Sequence, residues 1–486
     1  MSRLCRPSTI MSHFKAAAND FIDFVNACPT PYHVVHDVRA RLVKNGFKEL
    51  KEKASWNIEP NGRYFVTRNE SSIVAFTVGG KWKPGNPMAI VGAHTDSPTF
   101  RVKPVSKRSP SGNFLQIGVE CYGGGIWHSW FDRDLSVAGR VFVKDPTTGK
   151  SQIRLVKVDK PILKIPTLAI HLDRSVMEKF EFNKEQHLTP VLGLLEKNLN
   201  KKKEEEPVES ESDATPHQAL EQCHDPALLG LLASELDVTP EQIDNFELYL
   251  FDTQKSCIGG LNDEFIFSPR LDNQVSSYCA TEALIKSLDT VEKDESIRVI
   301  GLFDHEEVGS LSYQGADSNF LPAVLSRLAG APGQNDGSDV SINYQSLASS
   351  FLLSADQAHA FHPNYPTSYE SAHRPDMNRG PVIKINGNQR YTTDGVGMVL
   401  IQKIAEKANL PMQKFVVKND SSCGSTIGPM LASKLGLRSI DIGNPQLSMH
   451  SVRETGGSKD IYYLEKLFIE FFNNFVETDK QIVYDE

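Results

Sequence analysis

The sequence predicts an α/β fold with a mixed sheet, interrupted by a β-rich insertion. Three observations carry this. Helical and strand-like segments alternate over residues 13–98 and again from about 260 to the end, as in an α/β domain. Between them the character changes to short β-rich pieces. Finally, the apolar run Arg298-Val299-Ile300-Gly301-Leu302 ends in Phe303-Asp304-His305-Glu306-Glu307-Val308-Gly309. A buried strand that ends in charge delivers those residues to the carboxyl edge of a sheet, where open α/β folds place their chemistry.

Taken in order, Phe14, Ala17, Phe21, Phe24 and Val25 recur at helical spacing, and Val34, Val35, Val38 and Leu42 do so in the next segment. Cys28-Pro29-Thr30-Pro31 separates the two helices, with Thr30 placed to cap the second. Strands are expected at 64–67, 72–77 and 88–91, the last running into Gly92-Ala93-His94-Thr95-Asp96-Ser97-Pro98. In the insertion the clearest strands are 115–119, 139–143, 153–158 and 168–171. Residues 201–216 are charged and Ser/Glu-rich and lack the apolar side chains to pack, so a flexible loop is expected near 197–217. Beyond it come a helix at 273–288, strands at 351–355, 415–417 and 440–442, and helices at 396–408 and 461–476. The expected domains are a discontinuous one, 11–98 with 256–486, and an inserted one, 99–255.

At 486 residues the chain is too long for one small core. Its 52 Lys plus Arg against 61 Asp plus Glu leave a net charge of -9, which argues against nucleic acid or an anionic membrane as main partner. The seven cysteines are scattered singly, as expected of reduced thiols in a cytoplasmic compartment. Neither a signal-type segment nor a long apolar span follows the basic start, and Met1 and Met11 are alternative first residues.

Five stretches offer metal ligands after a strand or in a loop: His94, Asp272 in Pro269-Arg270-Leu271-Asp272-Asn273, Glu307, Asp356 and His450. Singly, each has an ordinary reading. Adjacent acids after a strand are common on solvated surfaces, a lone histidine is more often structural, and Asp272 or Asp356 could cap a helix or turn. Their scatter over many strand ends suits a catalytic site on a doubly wound sheet rather than a structural zinc site. Two histidines and three carboxylates suit two zinc ions bridged by one carboxylate, leaving a net positive centre. Asp96, two residues past His94, is placed to hold its imidazole in the ligating tautomer. Glu306, beside Glu307, is placed to face a substrate and handle protons.

The chain resembles the aspartyl aminopeptidase family of dinuclear zinc metallopeptidases from about residue 14 to 475. The resembling stretches are Gly92-Ala93-His94-Thr95-Asp96-Ser97-Pro98, Tyr122-Gly123-Gly124-Gly125-Ile126-Trp127, Trp130-Phe131-Asp132-Arg133-Asp134-Leu135, Pro269-Arg270-Leu271-Asp272-Asn273, Glu306-Glu307-Val308-Gly309-Ser310 and Gln446-Leu447-Ser448-Met449-His450-Ser451. The resemblance implies one zinc at His94 and Asp356, the other at Glu307 and His450, and Asp272 bridging, with Mn2+ or Co2+ as possible substitutes. It implies Glu306 as the general base, taking a proton from water as this attacks the first peptide carbonyl.

A preference for amino-terminal Asp or Glu needs a buried cation. The resemblance favours Lys384 as the carboxylate partner, with Tyr391 nearby and Arg390 as rival. The resemblance also implies a tetrahedral homododecamer built from dimers, with the insertion serving dimerisation and covering the neighbouring site. His362 and His171 are expected near the substrate or subunit contact. His305, between Asp304 and Glu306, departs from the family pattern. Rival readings are a broader-specificity or vacuolar aminopeptidase of the same family, or a non-catalytic assembly protein.

Overall fold

In the computed structural model the chain divides into two units, Met1–Pro98 with Lys255–Glu486, and Thr99–Gln254. The structure describes residues 7–195, 219–330 and 340–485, and the loop expected near 197–217 lies outside the described residues.

Among the described residues, the first unit is built on a nine-stranded mixed sheet. At its centre Ile297–Phe303, Met88–His94, Phe351–Ala355 and Arg438–Gly443 lie side by side and parallel. Ser72–Val78 flanks this group antiparallel to Ile297–Phe303, and Val382–Ile385 runs antiparallel to Arg438–Gly443. The central strands are apolar on both faces because helices cover both. Ala89, Val91 and Ala93 enter one core with Phe351, Leu353, Phe468 and Phe471, while Met88, Ile90 and Leu352 enter the other with Phe320, Leu325 and Leu431. This alternation fixes the register, since a one-residue slip would exchange the two sets. It also fixes which strand ends face the same edge. A five-stranded sheet carries Phe265–Ser268, Glu454–Gly457, Pro445–Leu447 and Ala358–His359.

The two amino-terminal helices are Pro7–Ala27 and Pro31–Lys44. Thr30 stands at the cap position but makes no side-chain cap bond. Its hydroxyl pairs with His33 Nδ1 at 2.8 Å instead, an i+3 partner that competes with the backbone. The helix expected at 273–288 is Leu271–Lys286, with non-helical backbone at Asp272 and Asn273.

The second unit holds a six-stranded sheet among its described residues, in the order Ser151–Lys157, Leu135–Lys144, Ile243–Asp252, Thr99–Lys107, Phe114–Tyr122, Val191–Leu194. Its printed pairs are antiparallel. It also contains the helix Pro226–Leu236, capped by the Asp225 side chain, which the sequence reading did not anticipate. The strand expected at 168–171 is not formed. Leu172 N closes a turn on Ala169 O at 2.8 Å, and Leu168 and Ile170 are exposed, so the alternating pattern there has no neighbouring strand to pair with. No helix among the described residues is long and apolar enough to cross a membrane.

Candidate metal centre

Adjacent parallel strands bring their last residues to one edge. His94 ends Met88–His94 and pairs in register with Phe303, three residues before Glu306. Asp356 follows Phe351–Ala355, its N–H donating to Ile442 O at 2.9 Å. The neighbouring strand approaches so closely that a Cβ at Gly443 would lie 1.8 Å from Asp356 O, so only glycine fits there. Asp272 and His450 come from the five-stranded sheet. The first follows Phe265–Ser268, and the second sits in the turn between Pro445–Leu447 and Glu454–Gly457.

Asp272 lies between two imidazoles. Its Oδ1 is 3.4 Å from His94 Nε2 and its Oδ2 is 3.3 Å from His450 Nε2. His94 Nε2 is also 3.5 Å from Asp356 Oδ1, and His450 Nε2 is 3.4 Å from Glu307 Oε1. Two sets of potential ligands therefore share Asp272: His94, Asp272 and Asp356, and Asp272, Glu307 and His450.

The donor set fits metal. Tetrahedral zinc with bonds of about 2.0–2.1 Å places neighbouring ligand atoms about 3.3 Å apart, close to these separations. Asp272 Oδ1 and Glu307 Oε1 are buried without a hydrogen-bond partner among the described residues, which is costly unless a cation completes them.

The electrostatics agree. Burial pushes Glu306 up to about 8, opposed by the His94 charge and helped by those of Asp356, Asp96 and Asp272. Burial and the Asp272 charge push Glu307 well above the carboxylate range. Despite burial, the His450 and His94 imidazoles on either side hold Asp272 well below it. His450 is raised to about 10 against the pull of burial, chiefly by Asp272 and Glu307.

Asp96 does more than its spacing suggests. Its Oδ1 is 3.4 Å from His94 Nδ1, and its two oxygens accept the N–H groups of Glu306 and Glu307, each at 3.1 Å. One buried carboxylate thus orients the histidine and both glutamates. Glu454 has a similar duty that the sequence did not reveal. Its Oε1 accepts His450 N at 2.8 Å and its Oε2 accepts Asp272 N at 3.1 Å.

Lys384, on Val382–Ile385, is buried with Nζ 3.1 Å from Asp356 Oδ2 and 4.7 Å from the Tyr391 ring centroid. Burial would lower its pKa, but the charges of Asp356, Tyr391 and Asp441 win and raise it. Arg390 is exposed. His362 turns to its own loop, where its ring lies 4.8 Å from Tyr365 and its Nδ1 accepts Asn364 N. His171 lies on an exposed turn of the second unit. His305 pairs with Ser312 Oγ at 2.7 Å through Nδ1.

The histidine that the structure adds is His359, on the short strand Ala358–His359. Burial lowers its pKa, and it feels the charges of Lys384, Asp272, Asp356 and His450. With Tyr391 and Cys423 it lines a cavity of about 240 Å³. Its one sequence signal was its position three residues beyond Asp356 at the same strand end.

Comparison with known proteins agrees with this site. Residues 24–472 match the family described as Aminopeptidase I zinc metalloprotease (M18). The chain is 55% identical to "Aspartyl aminopeptidase 4" of Saccharomyces cerevisiae, covering 96% of each protein. It is 53% identical to "Aspartyl aminopeptidase" of Aspergillus oryzae, covering 98% of this chain and 100% of that one. Among solved structures it is similar to Ape4 in a cryo-EM complex with Nbr1, at 48% identity and a TM-score of 0.91 over 100% of this chain and 90% of that one. It is also similar to the S. cerevisiae mApe1 dodecamer, at 32% identity and a TM-score of 0.82 over 96% and 99%. From residue 24 to 472 this chain therefore belongs to the M18 family of zinc metalloproteases, and it is a metallo-aminopeptidase.

Proposed function

We propose that the enzyme releases amino-terminal Asp and Glu from peptides, using two zinc ions per subunit and Glu306 as general base. The observation that carries this is the shared carboxylate of Asp272, placed between His94 and His450 with a third ligand on either side. His94, Asp356 and Asp272 would hold one ion, and Glu307, His450 and Asp272 the other. When bound, the pair supplies Lewis acidity that activates water and polarises the scissile carbonyl.

Within that field the chain's own groups divide the work. Glu306 takes the proton of the attacking water and returns it to the leaving amine. Its burial, with the acids around it, moves it toward the range in which a carboxylate does both near neutral pH. Asp96 holds the two glutamates by their backbone, so the base stays aimed while its neighbour ligates.

The first residue's side chain is read at Lys384 and Tyr391, beside the 240 Å³ cavity. Lys384 suits this better than Arg390, because a buried ammonium attracts a carboxylate more strongly than an exposed guanidinium does. The names of the two fungal relatives support an acidic preference. Self-association into a tetrahedral dodecamer of dimers through the inserted domain, with His171 and His362 at the substrate or subunit contact, and a cytoplasmic location complete the reading. Metal content per subunit, measured beside turnover on Asp-initiated and Leu-initiated peptides, tests it. Two metals and a strong preference for the Asp peptide are expected. One metal, or equal turnover, would refute it.

A further inference from the structure

Asp441, on strand Arg438–Gly443, is fully buried, and the chemistry above does not use it. Its Oδ1 accepts Ser354 Oγ at 2.7 Å and Thr426 Oγ1 at 2.5 Å. Its Oδ2 accepts Thr392 N at 2.6 Å and Thr392 Oγ1 at 2.9 Å. All four donors are neutral. The Asp441 N–H donates to Thr393 Oγ1 at 3.1 Å, which donates in turn to Lys384 O at 2.6 Å. The helix Ile427–Leu435 enters so closely that a Cβ at Gly428 would lie 2.7 Å from Asp441 Oδ2.

Burying a carboxylate is costly, and its hydrogen bonds return most in whatever they hold in place. Here Ser354 lies on the neighbouring strand Phe351–Ala355, and the other donors belong to two segments remote in sequence. Thr392 follows Tyr391, and Thr426 follows the stretch Ser421 to Gly424. Tyr391 and that stretch both line the cavity of about 240 Å³, together with His359 and Phe415. The walls touch each other as well. Tyr391 pairs with Cys423, and Ser425 Oγ donates to Arg390 O at 3.4 Å.

We propose that Asp441 is a positioning residue that ties the Tyr391 segment to the Cys423 segment and so sets the width of the cavity where the substrate's first side chain is read. The tie stands on the hydrogen bonds alone, and its effect on the substrate rests on the specificity reading given above. Removing the carboxylate frees three hydroxyls and a backbone N–H at once, and the walls separate. Asparagine is a conservative replacement. Its Oδ1 still accepts from Thr392, and its Nδ2 can donate to Ser354 or Thr426, whose hydroxyls turn to accept.

The test uses the full-length holoenzyme and two readouts on Asp441→Ala and Asp441→Asn. One is the alkylation rate of Cys423 by iodoacetamide, resolved by peptide mass spectrometry. The other is kcat and KM on Asp-initiated and Leu-initiated peptides. Asp441→Ala should raise both Cys423 alkylation and KM for the Asp peptide about tenfold, with kcat within about threefold, the scale expected on losing bonds to a charged group. Asp441→Asn should restore both to within about threefold of the parent.

Unchanged alkylation in Asp441→Ala overturns the tie. Faster alkylation with unchanged KM leaves the tie standing and overturns the placement of the substrate's side chain against these walls. If Asp441→Ala does not fold, Thr392→Val removes one hydroxyl donor and should move both readouts in the same direction by about threefold. No movement there overturns the proposal.

Discussion

Asp272 and Asp441 are both buried carboxylates in the same unit, and they are completed in opposite ways. Around Asp441, two hydroxyls reach one oxygen while a hydroxyl and an amide reach the other, so hydrogen bonds alone satisfy it. Asp272 faces two imidazoles at separations suited to shared ligation, and its Oδ1 has no donor among the described residues. Burial alone therefore does not mark a metal ligand. What marks it is a buried anion whose surroundings offer further ligands instead of protons. On the readings proposed above, the same contrast separates catalysis from selection. The donor-poor cluster suits ions, and the donor-rich tether suits shape.

The sharpest way to break this comparison is at the base. Glu306→Gln should lower kcat by about 10²–10⁴-fold, the usual weight of a general base, while metal per subunit stays at the parental value. Full turnover in that variant would remove Glu306 from the mechanism. The next test sets the two aspartates directly against each other. Asp272→Asn should weaken metal binding by about 100-fold or more, because an amide bridges two cations poorly, whereas Asp441→Asn should leave metal content as in the parent. Competition with a zinc chelator measures both, and equal losses would erase the distinction. The smallest effect concerns selection. Lys384→Met should lower kcat/KM on Asp-initiated peptides about 10–100-fold more than on Leu-initiated ones, the value of one charge-assisted bond. An equal fractional loss on the two peptides rejects Lys384 as the carboxylate partner.

The central strands were legible because a continuous β-branched or apolar run stops abruptly in a polar motif, as at Gly92-Ala93-His94 and Leu302-Phe303-Asp304. The structure brings His94, Glu307 and Asp356 together for the same reason, since neighbouring parallel strands end at one edge, while Asp272 and His450 reach them from beside the five-stranded sheet. Other features depend on partners that no local pattern announces. Asp441 reads simply as a polar interruption between Ile440 and Ile442, and its meaning lies in Thr392 and Thr426. Glu454 holds Asp272 and His450 by their backbone only because a hairpin returns it beside them. His359 gives no local signal of this kind, because a two-residue strand leaves no periodicity to read. The segment 168–171 shows the reverse error: alternation without a pairing neighbour does not make a strand.

The ligand candidates are drawn from two sheets, and the last of them, His450, stands close to the end of the chain. On the ligand sets proposed above, a chain that stops short of residue 450 lacks a donor to the second ion, so late truncations should hold less metal than the full length.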